Sequence, residues 1–169
     1  MRLLLLIVSF MLLAATSFAA EPQSAQPEQA AQPAQAAQPI LGIWHTEDNK
    51  SQVEIAPCGD KLCGKIIWLR DPLIQDPNEG QVGAPRVDKK NPNEALRTHP
   101  VLGLQIVEGF VPSGENKWEG GTVYDPESGH TYKGKMWLAS PQRLKMRGFI
   151  GISLFGRTTE WTRNYPPTP

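Results

Sequence analysis

Lys117-Trp118-Glu119-Gly120-Gly121-Thr122-Val123-Tyr124, Asp125-Pro126-Glu127-Ser128-Gly129 and His130-Thr131-Tyr132-Lys133-Gly134-Lys135-Met136-Trp137-Leu138 follow one another without a break, and together they read as a β-hairpin. The first and last segments carry the period-two pattern of strands with one wet and one dry face. The middle segment has Pro early and Gly late, the chemistry of a type I turn that closes a hairpin with its glycine in the left-handed region. With Lys117 and Glu119 in water, Trp118, Gly120, Thr122 and Tyr124 face inward. With Lys133 and Lys135 in water, Tyr132, Gly134, Met136 and Leu138 do the same.

Working outward, the pattern repeats in short β-type runs bounded by turn residues, over 40–45, 51–56, 62–69, 104–110, 143–150 and 157–163. No long stretch has helical periodicity. Eight strands, the hairpin included, are the number that closes a small barrel, so the expected fold class is all-β, a single up-and-down antiparallel barrel. Lys65 outward puts Leu62, Gly64, Ile66 and Trp68 inside, and Arg143, Lys145 and Arg147 outward put Leu144, Met146, Gly148 and Ile150 inside. Such an interior suits an apolar pocket with a few hydroxyls. The alternative is a filled core in which the glycines make room for the tryptophans. The one long connection, 70–103, carries N-cap and Pro-at-N1 signals for a short helix over 91–97, and is either a lid over one end or a surface excursion.

Ahead of the barrel, Arg2 precedes an apolar run over 3–13 that is too short to span a bilayer, and Ser17-Phe18-Ala19 offers a small-x-small cleavage site. The expectation is a signal peptide over 1–19 and export to the periplasm, with release outside the cell as the other outcome. No cysteine follows the apolar run, which argues against a lipoprotein. Residues 20–39 are almost entirely Ala, Gln, Pro and Glu and cannot bury a core, so they read as a disordered linker that leaves the barrel domain over 40–165.

Lys and Arg total 17 and Asp and Glu total 17, a balance that offers no electrostatic funnel for nucleic acid or for an anionic membrane surface and leaves room only for a local patch. Cys58 and Cys63, an even pair in an exported chain, point to a disulfide. His45, His99 and His130 are scattered, so no metal site and no cofactor is implied. The sequence shows no Ser-His-Asp or Cys-His constellation and no phosphate-binding glycine loop, so no catalytic residue is expected and the protein is read as a non-enzyme. Glu108 shares the inward parity of Leu104 and Ile106. It is read as an inward carboxylate, as a partner of Arg163, or as turned outward by a bulge at Gly109.

Gly42-Ile43-Trp44 at the start of the first strand and Arg163 at the end of the last resemble the signature of the lipocalin-like, or calycin, barrels, in which an Arg stacks across the Trp face. A more specific resemblance covers the chain from Leu41 to about Arg163. Gly42-Ile43-Trp44, Pro57-Cys58-Gly59-Asp60-Lys61-Leu62-Cys63-Gly64-Lys65-Ile66, the segment 117–126 with Gly129, and 147–157 are similar to the bacterial family catalogued as domain of unknown function 2147. The resemblance implies a small exported protein with a lipocalin-like barrel, and it names no catalytic residues.

The reading that follows is a periplasmic binding protein for a small apolar or amphipathic ligand. The expected binding ring at one end is Trp68, Tyr124, Tyr132 and Ile150, with Arg157 at the mouth to pair a ligand carboxylate or phosphate. Trp44, Trp118 and Arg163 are the expected floor at the other end. The alternative is an envelope protein-interaction module whose outer face and long loop bind another protein around a filled interior.

Overall fold

The computed structural model describes residues 39–164, and the expected signal peptide and nearly all of the expected linker lie outside them. Eight antiparallel strands, β1 (Gly42–His45), β2 (Ser51–Cys58), β3 (Lys61–Leu69), β4 (Gln105–Gly114), β5 (Lys117–Asp125), β6 (His130–Ser140), β7 (Arg143–Phe149) and β8 (Arg157–Thr162), pair in chain order into a closed barrel. Outward positions carry the charged residues, with Lys135 paired to Glu119, and Arg143 and Lys145 to Glu160. The inner face is apolar. A charged exterior around an apolar interior is the reverse of a lipid-embedded β-barrel, and no described helix is long and apolar enough to cross a membrane.

The hairpin turn forms as its sequence requires. Gly129 adopts φ +77°, its N–H donates to the Asp125 carbonyl at 2.7 Å, and the Asp125 carboxylate accepts from the Glu127 N–H and the Ser128 hydroxyl. Gly129 is needed for a second reason, because the Lys90 carbonyl of the long connection lies where a β-carbon would stand. The β2–β3 turn is a tight two-residue one. Lys61 already pairs with Cys58 across a turn of Gly59 and Asp60, and Cys58 is disulfide-bonded to Cys63.

The helix expected over 91–97 is a single 3-10 turn, Glu94–Leu96. Its N-cap is Asn93, which accepts from the Ala95 N–H at 3.1 Å, so Pro92 stands before the cap instead of at the first helical position. The rest of the long connection is held by two isolated bridges, Leu73 with Pro85 and Val87 with Pro100.

One end of the barrel is sealed. The Trp44 indole N–H donates to the Ile40 carbonyl at 2.8 Å, and the Arg163 guanidinium lies over the indole while donating to the Pro39 and Leu41 carbonyls. Gly42 belongs to the same assembly. It adopts φ +108°, and a β-carbon there would meet the Arg163 guanidinium at 3.1 Å. Trp118, the other tryptophan assigned to the floor, is buried in the same core as Trp44. Trp161 and Leu144, cross-strand partners, are buried with them.

Candidate functional site

The side-chain parity read from the sequence holds in β6 and in the β7 strand, and fails in β3, β4 and β5 at register slips. In β3, Ile66 faces Val53 and Trp68 faces Gln52, so Ile67 has no opposite residue and Trp68 moves to the outer side with Gln52. In β5, Gly120 (φ +79°) is the extra residue against β6. Beyond it Gly121 and Val123 face inward, while Gly120, Thr122 and Tyr124, expected inside, do not. In β4, Ile106 and Val107 are both buried, and a second slip at Gly109 (φ +79°) brings Phe110 inward. Glu108 is therefore exposed, opposite Thr122, and is not an interior carboxylate.

These slips decide what the interior contains. Phe110, fully buried, occupies the space that side chains at Gly121 and Gly134 would need, and a β-carbon at Gly64 would come within 2.9 Å of Val107. The glycines of the inner face thus admit Phe110 and the valines. From this layer to the floor the barrel is packed, in line with the filled-core alternative, with Phe110 in the place given to the tryptophans.

The other end is graded differently. Tyr132 faces inward opposite Val123, and a β-carbon on Gly148 would touch its Cβ at 3.3 Å. Tyr132, Gly148 and Thr159 have inward parity but remain partly open to solvent, whereas Gly134, Met136 and Met146 one step deeper are buried. Arg157, expected at this mouth, is there: its side chain is 79% exposed and paired with Glu47 at 2.6 Å. Ile150, expected in the ring, lies just past the end of β7 and is 67% exposed. Of the four expected ring residues, then, Tyr132 faces inward near the end where Arg157 begins β8, Ile150 projects beyond it, and Trp68 and Tyr124 leave the interior.

Tyr124 has a different occupation. Its hydroxyl donates to the Asp88 carboxylate at 2.7 Å, and the second oxygen of Asp88 accepts from the Asn91 side chain at 2.7 Å. Asp88 and Asn91 are buried, so this polar cluster docks the long connection on the barrel. Burial, and then the bond to Asp88, push the Tyr124 phenol well above the ordinary tyrosine range. Nothing in the linear pattern marks Asp88 as a partner 36 residues from Tyr124.

On the outer wall, the missing side chains of Gly109 and Gly120 leave an open groove of about 530 Å³, bordered by the disulfide, Lys61, Gln105, Glu108 and Thr122. The Gly120-Gly121 doublet is the signal that could have located it, since paired glycines inside a strand mark a bulge. Among the described residues no cluster of His, Cys, Asp or Glu is arranged to hold a metal ion.

A family model described as an uncharacterized protein conserved in bacteria, DUF2147, matches residues 42–163, which run from the first residue of β1 to the Arg163 clasp. The chain belongs to the DUF2147 family. The matched span takes in the whole barrel and the Gly-x-Trp and Arg pair, while the Pro39, Ile40 and Leu41 carbonyls that complete the floor lie just before it. This DUF2147 chain is also similar in structure to a Helicobacter pylori protein described as belonging to the lipocalin family. The TM-score is 0.62 and the identity 24%, over 74% of this chain and 82% of that one. That likeness shows a lipocalin-like fold. No curated protein matches the DUF2147 chain in sequence.

Proposed function

We propose that this protein is an exported, periplasmic, non-catalytic binding module that holds the apolar part of a small amphipathic ligand at the mouth of its barrel. The observation that carries the reading is the gradient along the inner face. Residues below the Phe110 layer are sealed, while Tyr132, Gly148 and Thr159, also inward in parity, are reached by solvent. The ligand is accordingly short or only partly enclosed, lying against the Tyr132 ring, which itself covers Gly148. Arg157 exchanges its exposed partner Glu47 for the ligand's carboxylate or phosphate. A lipocalin-like fold is compatible with binding a small apolar ligand, and the disulfide suits an oxidising compartment.

A second reading, an envelope interaction module, draws on the packed interior. In it the outer wall and long connection meet a protein and the mouth stays empty.

Native mass spectrometry with solvent extraction, on protein purified gently from a bacterial host, separates the two. A co-purifying amphiphile that is lost in Tyr132→Ala while the thermal transition is retained supports the mouth site. A clean apo mass, with no uptake of a fluorescent fatty acid by wild type, overturns it in favour of the interaction module.

A further inference from the structure

The connection between β7 and β8 displays large apolar side chains in water. Ile150, Ile152, Leu154 and Phe155 are 67%, 60%, 76% and 80% exposed, on six consecutive residues. Scattered surface apolar residues are ordinary, but four of this size on one tip are not.

The tip is held in place. Arg147 of β7 reaches under it, donating from Nε to the Ser153 carbonyl at 2.9 Å, from Nη2 to the Leu154 carbonyl at 3.1 Å, and from Nη1 to the Thr158 hydroxyl at 2.8 Å. Ser153–Phe155 form a 3-10 turn, Gly151 adopts φ +72°, and Gly156 lies so close to the Gly148 carbonyl and Phe149 that a β-carbon would not fit. The local structure therefore presents these side chains to solvent when a relaxed loop would turn some of them back.

Charge at the root selects the occupant. Arg147 and Arg157 flank the tip, and Lys133 stands opposite Phe149 at its base, whereas the facing carboxylate is Glu47 on Arg157. Among the described residues Arg147 has no carboxylate partner: three of its N–H groups donate to backbone and hydroxyl oxygens, and its charge stays unneutralised. A convex apolar tip encloses nothing; it enters something. A bilayer surface accepts such a tip in any register, and the cations then lie at the level of the phosphates.

We infer that the β7–β8 tip docks the barrel on an anionic lipid bilayer, with Ile150, Ile152, Leu154 and Phe155 inserted in the interfacial region and Arg147, Arg157 and Lys133 facing the headgroups. Docking is independent of whether an amphiphile occupies the mouth, although it would set that mouth against the membrane.

The test is co-sedimentation of the full chain, as recovered from its host, with phosphatidylcholine vesicles that contain or lack phosphatidylglycerol. Wild type and a Leu154→Ser, Phe155→Ser variant share the same N-terminus, so their difference reports the tip. The variant is expected to bind phosphatidylglycerol vesicles about tenfold or more weakly, with an unchanged thermal transition because both side chains are already in water. Raised salt should weaken wild-type binding. A second readout is local: an environment-sensitive dye on Ile152→Cys, the native cysteines being disulfide-bonded, should shift to the blue on phosphatidylglycerol vesicles only. Equal binding by wild type and variant with no dye shift overturns the inference. So does an absence of vesicle binding together with a concentration-dependent dimer that the variant loses, which would assign the tip to a second copy of the chain. Loss of amphiphile binding at Tyr132→Ala leaves these outcomes untouched, so the two readings fail separately.

Discussion

The Arg163 guanidinium lies 4.1 Å from the centroid of the Trp44 ring, joining the residue after the last strand to the first strand of the barrel. The pair does three things at once. It covers the indole, satisfies the Pro39 and Leu41 carbonyls, and crowds the side-chain position of Gly42, whose φ of +108° already disfavours any other residue. Burial alone lowers the Arg163 pKa, yet a guanidinium stays charged throughout the physiological range.

Trp44→Ala should therefore destabilise the barrel by about 3–5 kcal/mol, the cost of deleting a large buried ring. Arg163→Lys should cost about 1–2 kcal/mol, because an ammonium keeps the charge but loses the flat stack and the fork to two carbonyls. Urea unfolding of both variants checks the order. An Arg163→Lys protein as stable as wild type would show that the clasp is ornamental.

Phe110 and Gly134 should behave as one unit. Gly134→Ala places a methyl against the Phe110 ring and is expected to cost about 1–3 kcal/mol by overpacking. In a Phe110→Leu background the same substitution should cost clearly less, since the flat ring that it meets is gone. The four-protein cycle measures this coupling by urea midpoints. Additive losses would mean that the ring does not occupy the space above Gly134.

The Tyr124 and Asp88 pair gives a pH dependence with a definite sign. A phenol whose native pKa is raised is favoured by folding in its protonated form. Its contribution is complete below the ordinary tyrosine value of about 10 and is lost as pH rises toward the native value. Tyr124→Phe should cost about 1–3 kcal/mol at pH 7, because the buried Asp88 carboxylate loses a donor. The gap between wild type and variant should narrow at alkaline pH, where only wild type has a phenol at position 124 to ionise on unfolding. Urea midpoints at pH 7 and pH 11 read the gap, and a gap that stays constant would contradict the raised pKa.

How far the sequence reaches is clear from where it stops. Period-two alternation located all eight strands, because a charged exterior and an apolar interior leave their mark on every second residue. The Asp125-Pro126-Glu127-Ser128-Gly129 turn and the disulfide of Cys58 and Cys63 were equally readable, being local chemistry. Parity then failed at Trp68, Glu108 and Tyr124, each beyond a residue inserted into one strand and not its neighbour. An insertion of that kind is a property of two strands together and leaves only faint traces in either one, such as Gly109 or the Gly120-Gly121 doublet. The docking of the long connection was hidden for a related reason, since Asp88 acquires its partner only when the chain returns 36 residues later. At the candidate site, Tyr132 was legible and Phe110 was not, although Phe110 sets how deep the mouth extends.

Among the registered pairs, β1 and β8 share one, His45 with Thr162, while every other neighbouring pair of strands shares at least three. The seam of the cylinder is thus fastened by side chains, with Arg163 and Trp44 as the buckle and hardly any ladder behind it. Transient unbuckling would bare two strand edges on one molecule, the surfaces through which β-proteins exchange strands or polymerise. Amide exchange should begin at this seam, and any factor that guards the protein against strand exchange has one narrow line to watch.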